Sequence, residues 1–201
     1  GMERSLKEPK ATADEIRKMQ GLVAEAMDEG YLGMSIDLLP WHRMDGEPFC
    51  GISVPSQQAA PSEYGKLASV VREHDRVLQA TPNALNKKTV LTIAMLSTGV
   101  LRKPLRTTIV AAMDVKTNRL IYKVATVGAT VMNGLFRSNI RWQSLAEPFL
   151  NYCDGVFTPL FEEFPTGVAA ISATADERRQ MFTDPQYRAA FRADWESSRE
   201  K

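Results

Sequence analysis

The chain has 201 residues, 44% hydrophobic and 24% charged, which suits a folded protein with a buried core and excludes a disordered or fibrous class. Its 25 basic and 24 acidic residues leave a formal charge of +1, so no general field draws it to nucleic acid or to an anionic membrane. No apolar run reaches the roughly 18 residues that a membrane span needs, and the first residues are polar and charged rather than leader-like, so a cytoplasmic setting is expected.

Gly1 ahead of Met2 reads as a residue left by tag removal and is set aside from the fold. Cys50 and Cys153 are far apart with no Cys-x-x-Cys spacing, the pattern of reduced thiols, with a single disulfide as the alternative. The basic clusters Arg102-Lys103 with Arg106, and Arg178-Arg179, read as solvated helix ends and loops.

The first strong element is a helix over Ala13 to Glu29. Thr12 and Glu15 form a capping box at its start, Ile16, Met19, Val23, Ala26 and Met27 share a face, and Gly30 supplies the stop. Gly33 to Leu39 reads as a buried strand ended by Pro40, and a long loop with four prolines follows to Pro61. Ser62 is expected to cap a second helix that packs through Tyr64, Leu67, Ala68 and Val71. Arg76 to Thr81 is a short strand, Thr89 to Leu101 a buried helix, and Thr107 to Met113 the strongest strand. Asn118 to Leu135 is a third long helix and Asn139 to Leu145 a fourth strand. Beyond Ala146 the pattern loosens; Ala175 to Phe182 is helical, and Asp184 with Pro185 starts a last helix on which Tyr187, Phe191 and Trp195 recur every four residues. That stripe reads as a packing face.

Strands alternating with helices predict an α/β fold of parallel, right-handed βα units. A single domain is expected over 1–201, with βα units to residue 145 and a loop with C-terminal helices over 146–201. Four such strands suit either an open doubly wound sheet or half of an eight-stranded barrel; periodicity does not choose between them.

Gly33-Met34-Ser35-Ile36-Asp37 approaches a nucleophile elbow, but Asp37 stands where that strained turn needs glycine, which sets Ser35 aside. His74 closes a helix, where a cation suits the dipole. His42 is the better candidate because Trp41-His42-Arg43 follows the carboxyl end of a strand, where parallel α/β folds gather their sites. The other strand ends bring Thr81 with Asn83, Asp114 with Lys116, and Gln143 with Glu147. At such an end, a carboxylate can bind a metal or take a proton, and an ammonium can steady an anionic substrate.

Ala11-Thr12-Ala13-Asp14-Glu15-Ile16, followed by Glu25-Ala26-Met27-Asp28-Glu29-Gly30-Tyr31-Leu32-Gly33-Met34-Ser35, resembles a segment of the N-acyl-D-amino-acid deacylases of the amidohydrolase superfamily. A looser likeness runs through Arg76 to Thr81, Thr107 to Lys116, and Phe182-Thr183-Asp184-Pro185-Gln186-Tyr187-Arg188 with Asp194-Trp195. The resemblance implies a longer chain, an eight-stranded barrel that holds zinc, and hydrolysis of the amide bond of an N-acyl-D-amino acid. It places two metal-binding histidines at the second and third strand ends, where Thr81 and Asp114 stand, and matches Lys116 to a substrate-contacting lysine. The family's His-x-His strand, bridging Cys and late Asp lie outside these residues, so zinc belongs to the parent family and no cofactor is expected in this chain.

The leading expectation is therefore part of an amidohydrolase-like hydrolase of N-acyl amino acids, inactive in isolation. Asp114 is its catalytic candidate, and His42, Arg43 and Lys116 are its substrate-binding candidates. The alternative is a non-catalytic α/β interaction or assembly module; an open sheet that binds a small anion stands third. A homo-oligomer is expected from two open sheet edges, an apolar uncovered face and the aromatic stripe.

Overall fold

In the computed structural model, the described residues are 2–8, 10–39, 42–44, 48–49, 52–83, 86–110, 120–144, 152, 155–156, 161 and 164–199. Helix α1 (Met2–Lys7) precedes α2 (Ala13–Asp28), then β1 (Gly33–Asp37), a 3-10 turn (Pro55–Gln58), α3 (Pro61–Glu73), β2 (Val77–Thr81) and α4 (Lys87–Ser97). There follow β3 (Arg106–Ile109), α5 (Ile121–Leu135), β4 (Asn139–Trp142), α6 (Pro165–Ser172), α7 (Ala175–Thr183) and α8 (Pro185–Arg199). Among the described residues no helix is long and apolar enough to cross a membrane.

The residues group into two compact units. One comprises 1–40, 54–112 and 123–144; the other comprises 41–53, 113–122 and 145–201.

In the first unit, α2 is bounded as its sequence dictates. The Thr12 N–H donates to Glu15 Oε2 at 2.8 Å while Glu15 N–H donates to Thr12 Oγ1 at 3.2 Å, so each satisfies an orphaned donor. At the other end Gly30 takes a φ of +103°, which a glycine adopts without strain. Tyr31 N–H then reaches Ala26 O and Gly30 N–H reaches Met27 O, the paired bonds of a Schellman stop. Helix α3 departs from expectation. It begins at Pro61 with Ala60 as N-cap and no side-chain cap, because proline's preset φ starts the helix one residue before Ser62.

The four strands form one parallel sheet in the order β1-β2-β3-β4. Because side chains alternate along a strand, the register builds rows across the sheet. Met34, Leu78, Thr107 and Ile140 form one row and Ile36, Ala80, Ile109 and Trp142 another. Members of both rows pack with Tyr64, Ala68 and Val71 of α3, Ile93 of α4, and Ala129 and Met132 of α5 into the core. The opposite face was expected to be apolar and buried; instead, Arg106 is exposed and Thr108 half-buried, while only Thr107 and Ile109 are buried. Among the described residues the helices of this unit pack on one side of the sheet, and its strands alternate accordingly.

The outer edge of β4 is not left open along its length. Asn133 on α5 accepts from Ile140 N–H at 2.9 Å and donates to Ile140 O at 3.0 Å, so its carboxamide stands in for the peptide of a further strand. Trp142 Nε1 also donates to Ala125 O at 3.0 Å, holding α5 against the same strand.

Between α3 and β2, Asp75 adopts a left-handed φ of +54°. Its carboxylate meets Lys103 at 2.9 Å and Arg106 at 2.7 Å, tying the start of β3 to this turn. The Lys103 hydrogen bond, with the Arg106 charge, holds the Asp75 carboxyl below its usual value. A depressed folded pKa stabilises the fold above the unfolded value and loses that contribution as pH falls through the folded one. Asp75→Asn tolerates the same turn but carries no charge. Thermal melts of wild type and variant are expected to differ at pH 7 and to draw together only as pH falls from about 4 through the lowered folded value; a constant gap would remove the ion pairs from the account.

In the second unit, α6 lies where the sequence pattern loosens. Its short apolar run, Val168 to Ile171, spans barely one turn and carries no periodic signal. Asp194 on α8 caps α6, with Oδ2 accepting from Thr166 N–H at 3.0 Å and Thr166 Oγ1 at 2.7 Å. Tyr187 donates its hydroxyl to Thr166 O at 2.8 Å. Phe191 packs edge-to-face on Phe161 and Phe164, and Trp195 on Phe164. The aromatic stripe of α8 thus packs on rings of its own unit.

Candidate functional site

The uncovered sheet face carries a third row, Ser35, Gln79, Thr108 and Arg141, aligned across all four strands. With strands about 4.8 Å apart, it spans about 14 Å. Every member is polar. Ser35 and Arg141 at its ends are exposed, and Gln79 and Thr108 between them are half-buried. Ser35 donates its hydroxyl to Gln79 Oε1, and Gln143 Nε2 donates to Thr108 Oγ1 at 3.1 Å.

Towards the carboxyl ends, Asp37 stands beside Thr81 in register. Asp37 Oδ1 accepts from Leu39 N–H at 2.9 Å, closing a local turn just after β1. Tyr64 of α3 has a buried hydroxyl with no hydrogen-bond partner among the described residues. Burial, with the charges of Glu63 and Asp37 adding to it, pushes that phenol up to about 12, so Tyr64 stays a neutral donor at neutral pH.

This arrangement offers hydroxyl, amide and guanidinium groups in one line, which suits recognition of a polar or anionic molecule. It contains no activated nucleophile. Ser35 lies in mid-strand, not on a strand-to-helix elbow, and its partner is an amide that cannot take its proton.

The residues singled out from the sequence are dispersed. Asp114 and Lys116 lie outside the described residues, as do Glu147, Cys50 and Cys153. His42, half-buried, and Arg43, exposed, belong to the second unit, where Arg43 forms an antiparallel bridge with Ser53. His74 closes α3, with Nδ1 2.9 Å from Val70 O and Nε2 3.4 Å from Asp28. Gln79, Thr108 and Arg141 were missed. The signal for them was period-two alternation within β2, β3 and β4, which marks a covered face and a polar one.

The zinc implied by the deacylase resemblance does not fit the described donors. Thr81 offers only a neutral hydroxyl where an imidazole is implied, and no group of three or more His, Cys, Asp or Glu among the described residues could hold a metal ion.

No family model matches the chain, and no solved structure matches it. Uncharacterized proteins of Mycobacterium bovis and Mycobacterium tuberculosis are 35% identical to it over 188 residues, which is 92% of this chain and 31% of each relative. The chain therefore spans about a third of the length of the curated relatives it matches.

Proposed function

We propose that this chain is part of a parallel βα barrel in an amidohydrolase-like enzyme that cleaves the amide bond of N-acyl amino acids. In this reading it contributes substrate-contacting side chains rather than the metal centre. The observation that carries the reading is the sheet itself. Its strands run in sequence order without the reversal that marks a doubly wound sheet, and its polar row faces away from the helices. In a barrel that face is the interior, and Arg141 is the group on it best suited to a substrate carboxylate. The share of its longer relatives that the chain covers is consistent with one portion of such a barrel. Closure would require the next strand to displace the Asn133 carboxamide from Ile140.

Because the described donors do not fit zinc, no hydrolytic step is assigned to them. Asp114, as a catalytic group, and His42, Arg43 and Lys116, as substrate contacts, remain proposals from the sequence. The test is release of free amino acid from N-acetyl-D- and N-acetyl-L-amino acids, with zinc supplied. Two preparations are compared, the 201-residue chain and the protein expressed from its full reading frame. Turnover is expected only from the second, and Arg141→Gln in that protein is expected to raise KM about tenfold or more. Absence of turnover by the full protein across the panel would overturn the hydrolase reading in favour of an assembly module.

A further inference from the structure

A groove of about 860 Å³ opens beside the aromatic cluster of the second unit, walled by Phe161, Phe182, Phe191 and Trp195, with Arg188 and Arg192 also lining it. That volume falls within the roughly 300–1,000 Å³ of small-molecule sites, and the lining has their usual character, mostly apolar with a few convergent polar groups. Arg188 and Arg192 are one turn apart on α8, so their side chains leave the same face about 6 Å apart. Both are exposed, and neither guanidinium has an ion-pair or hydrogen-bond partner among the described residues.

Two of the neighbouring polar groups are committed elsewhere. Asp194 is engaged by Thr166 through both its N–H and its hydroxyl, and the Tyr187 hydroxyl also bonds Thr166. Among the described residues no carboxylate pairs with either guanidinium, so positive charge stands beside the aromatic wall, a combination that favours an anion carried on an apolar body.

We propose that this groove binds a small organic carboxylate with an aromatic or branched acyl body. The body lies among the rings of Phe161, Phe182 and Trp195, and the carboxylate is held by the two guanidiniums, whose planar forks match its geometry. The site shares no residue with the polar row of the sheet, and its occupancy is read without turnover, so its test is independent of the deacylase assay.

Isothermal titration of the 201-residue chain with 2-naphthoate, and with the uncharged 2-naphthamide as its isostere, decides the matter. Naphthoate is expected to saturate one site per chain and to bind at least about tenfold tighter than the amide, the scale of a charge-assisted contact. R188Q/R192Q is expected to lose that tenfold with an unchanged melting curve, because both residues are exposed. R188K/R192K is expected to recover part of it, since the charge returns without the fork. No saturable heat, equal affinity for acid and amide, or full affinity in R188Q/R192Q would each overturn the proposal.

Discussion

Gly33→Ala is expected to destabilise the chain by about 3–5 kcal/mol, at the upper end for a single added methyl group. A Cβ at Gly33 would stand 1.8 Å from the carbonyl oxygen of Val77 and 2.8 Å from its carbonyl carbon. Both atoms are backbone of the paired strand, held in register with Gly33, so neither can step aside without breaking the β1–β2 pairing. The reason for glycine here is space, since the left-handed φ belongs to Gly30 three residues earlier. Gly21 is the internal control. It lies inside α2 with nothing within 4 Å of its would-be Cβ. Gly21→Ala should therefore stabilise the protein by up to about 1 kcal/mol through helix propensity alone. Urea unfolding of both variants separates the cases. A Gly33→Ala variant within 1 kcal/mol of wild type would show that the two strands can part at this point without loss.

Asn133→Leu should cost about 1–3 kcal/mol and promote self-association as well. Leucine keeps the approximate volume but removes both bonds to Ile140, a residue only 3% exposed. Its N–H would then lose its partner and its C=O would keep only the Arg141 guanidinium at 3.3 Å, and an unpaired buried group retains its full desolvation penalty. They are also the donor and acceptor that another strand would use, so the edge of β4 becomes a template for pairing. The homo-oligomer proposed from the sequence rests on open edges, and this carboxamide is what closes one of them at Ile140. Light scattering should show a larger increase in mass with concentration for the variant than for wild type. A destabilised variant with unchanged mass would confine Asn133 to a role in stability.

The deacylase-like segment shows how a motif and its physical meaning come apart. Within Leu32-Gly33-Met34-Ser35, Gly33 is needed for close strand packing, and Ser35 is one polar member of a row rather than a nucleophile. Both facts depend on β2, more than forty residues away. Gln79, Thr108 and Arg141 stand in short strands, and they gain meaning only when the register aligns them with Ser35.

Local chemistry by itself determined where most elements lie. Thr12 with Glu15 and the glycine at 30 bound α2, the Asp184-Pro185 pair starts α8, and four short strands separated by helices make a parallel α/β sheet. Such signals act over three or four residues, within the span of one hydrogen-bonded turn or one pleat. Helix α6 escaped because its apolar run is too short to show a period and its cap, Asp194, comes from α8. Tertiary structure alone decided that the sheet is covered on one face, that a polar row crosses the other, and that Asn133 reaches Ile140. It likewise placed Arg188 and Arg192 beside an aromatic groove, with no partner among the described residues. Those outcomes depend on which distant strand or helix supplies the neighbour, and that choice is made by pairing and packing across the chain, which no local pattern encodes.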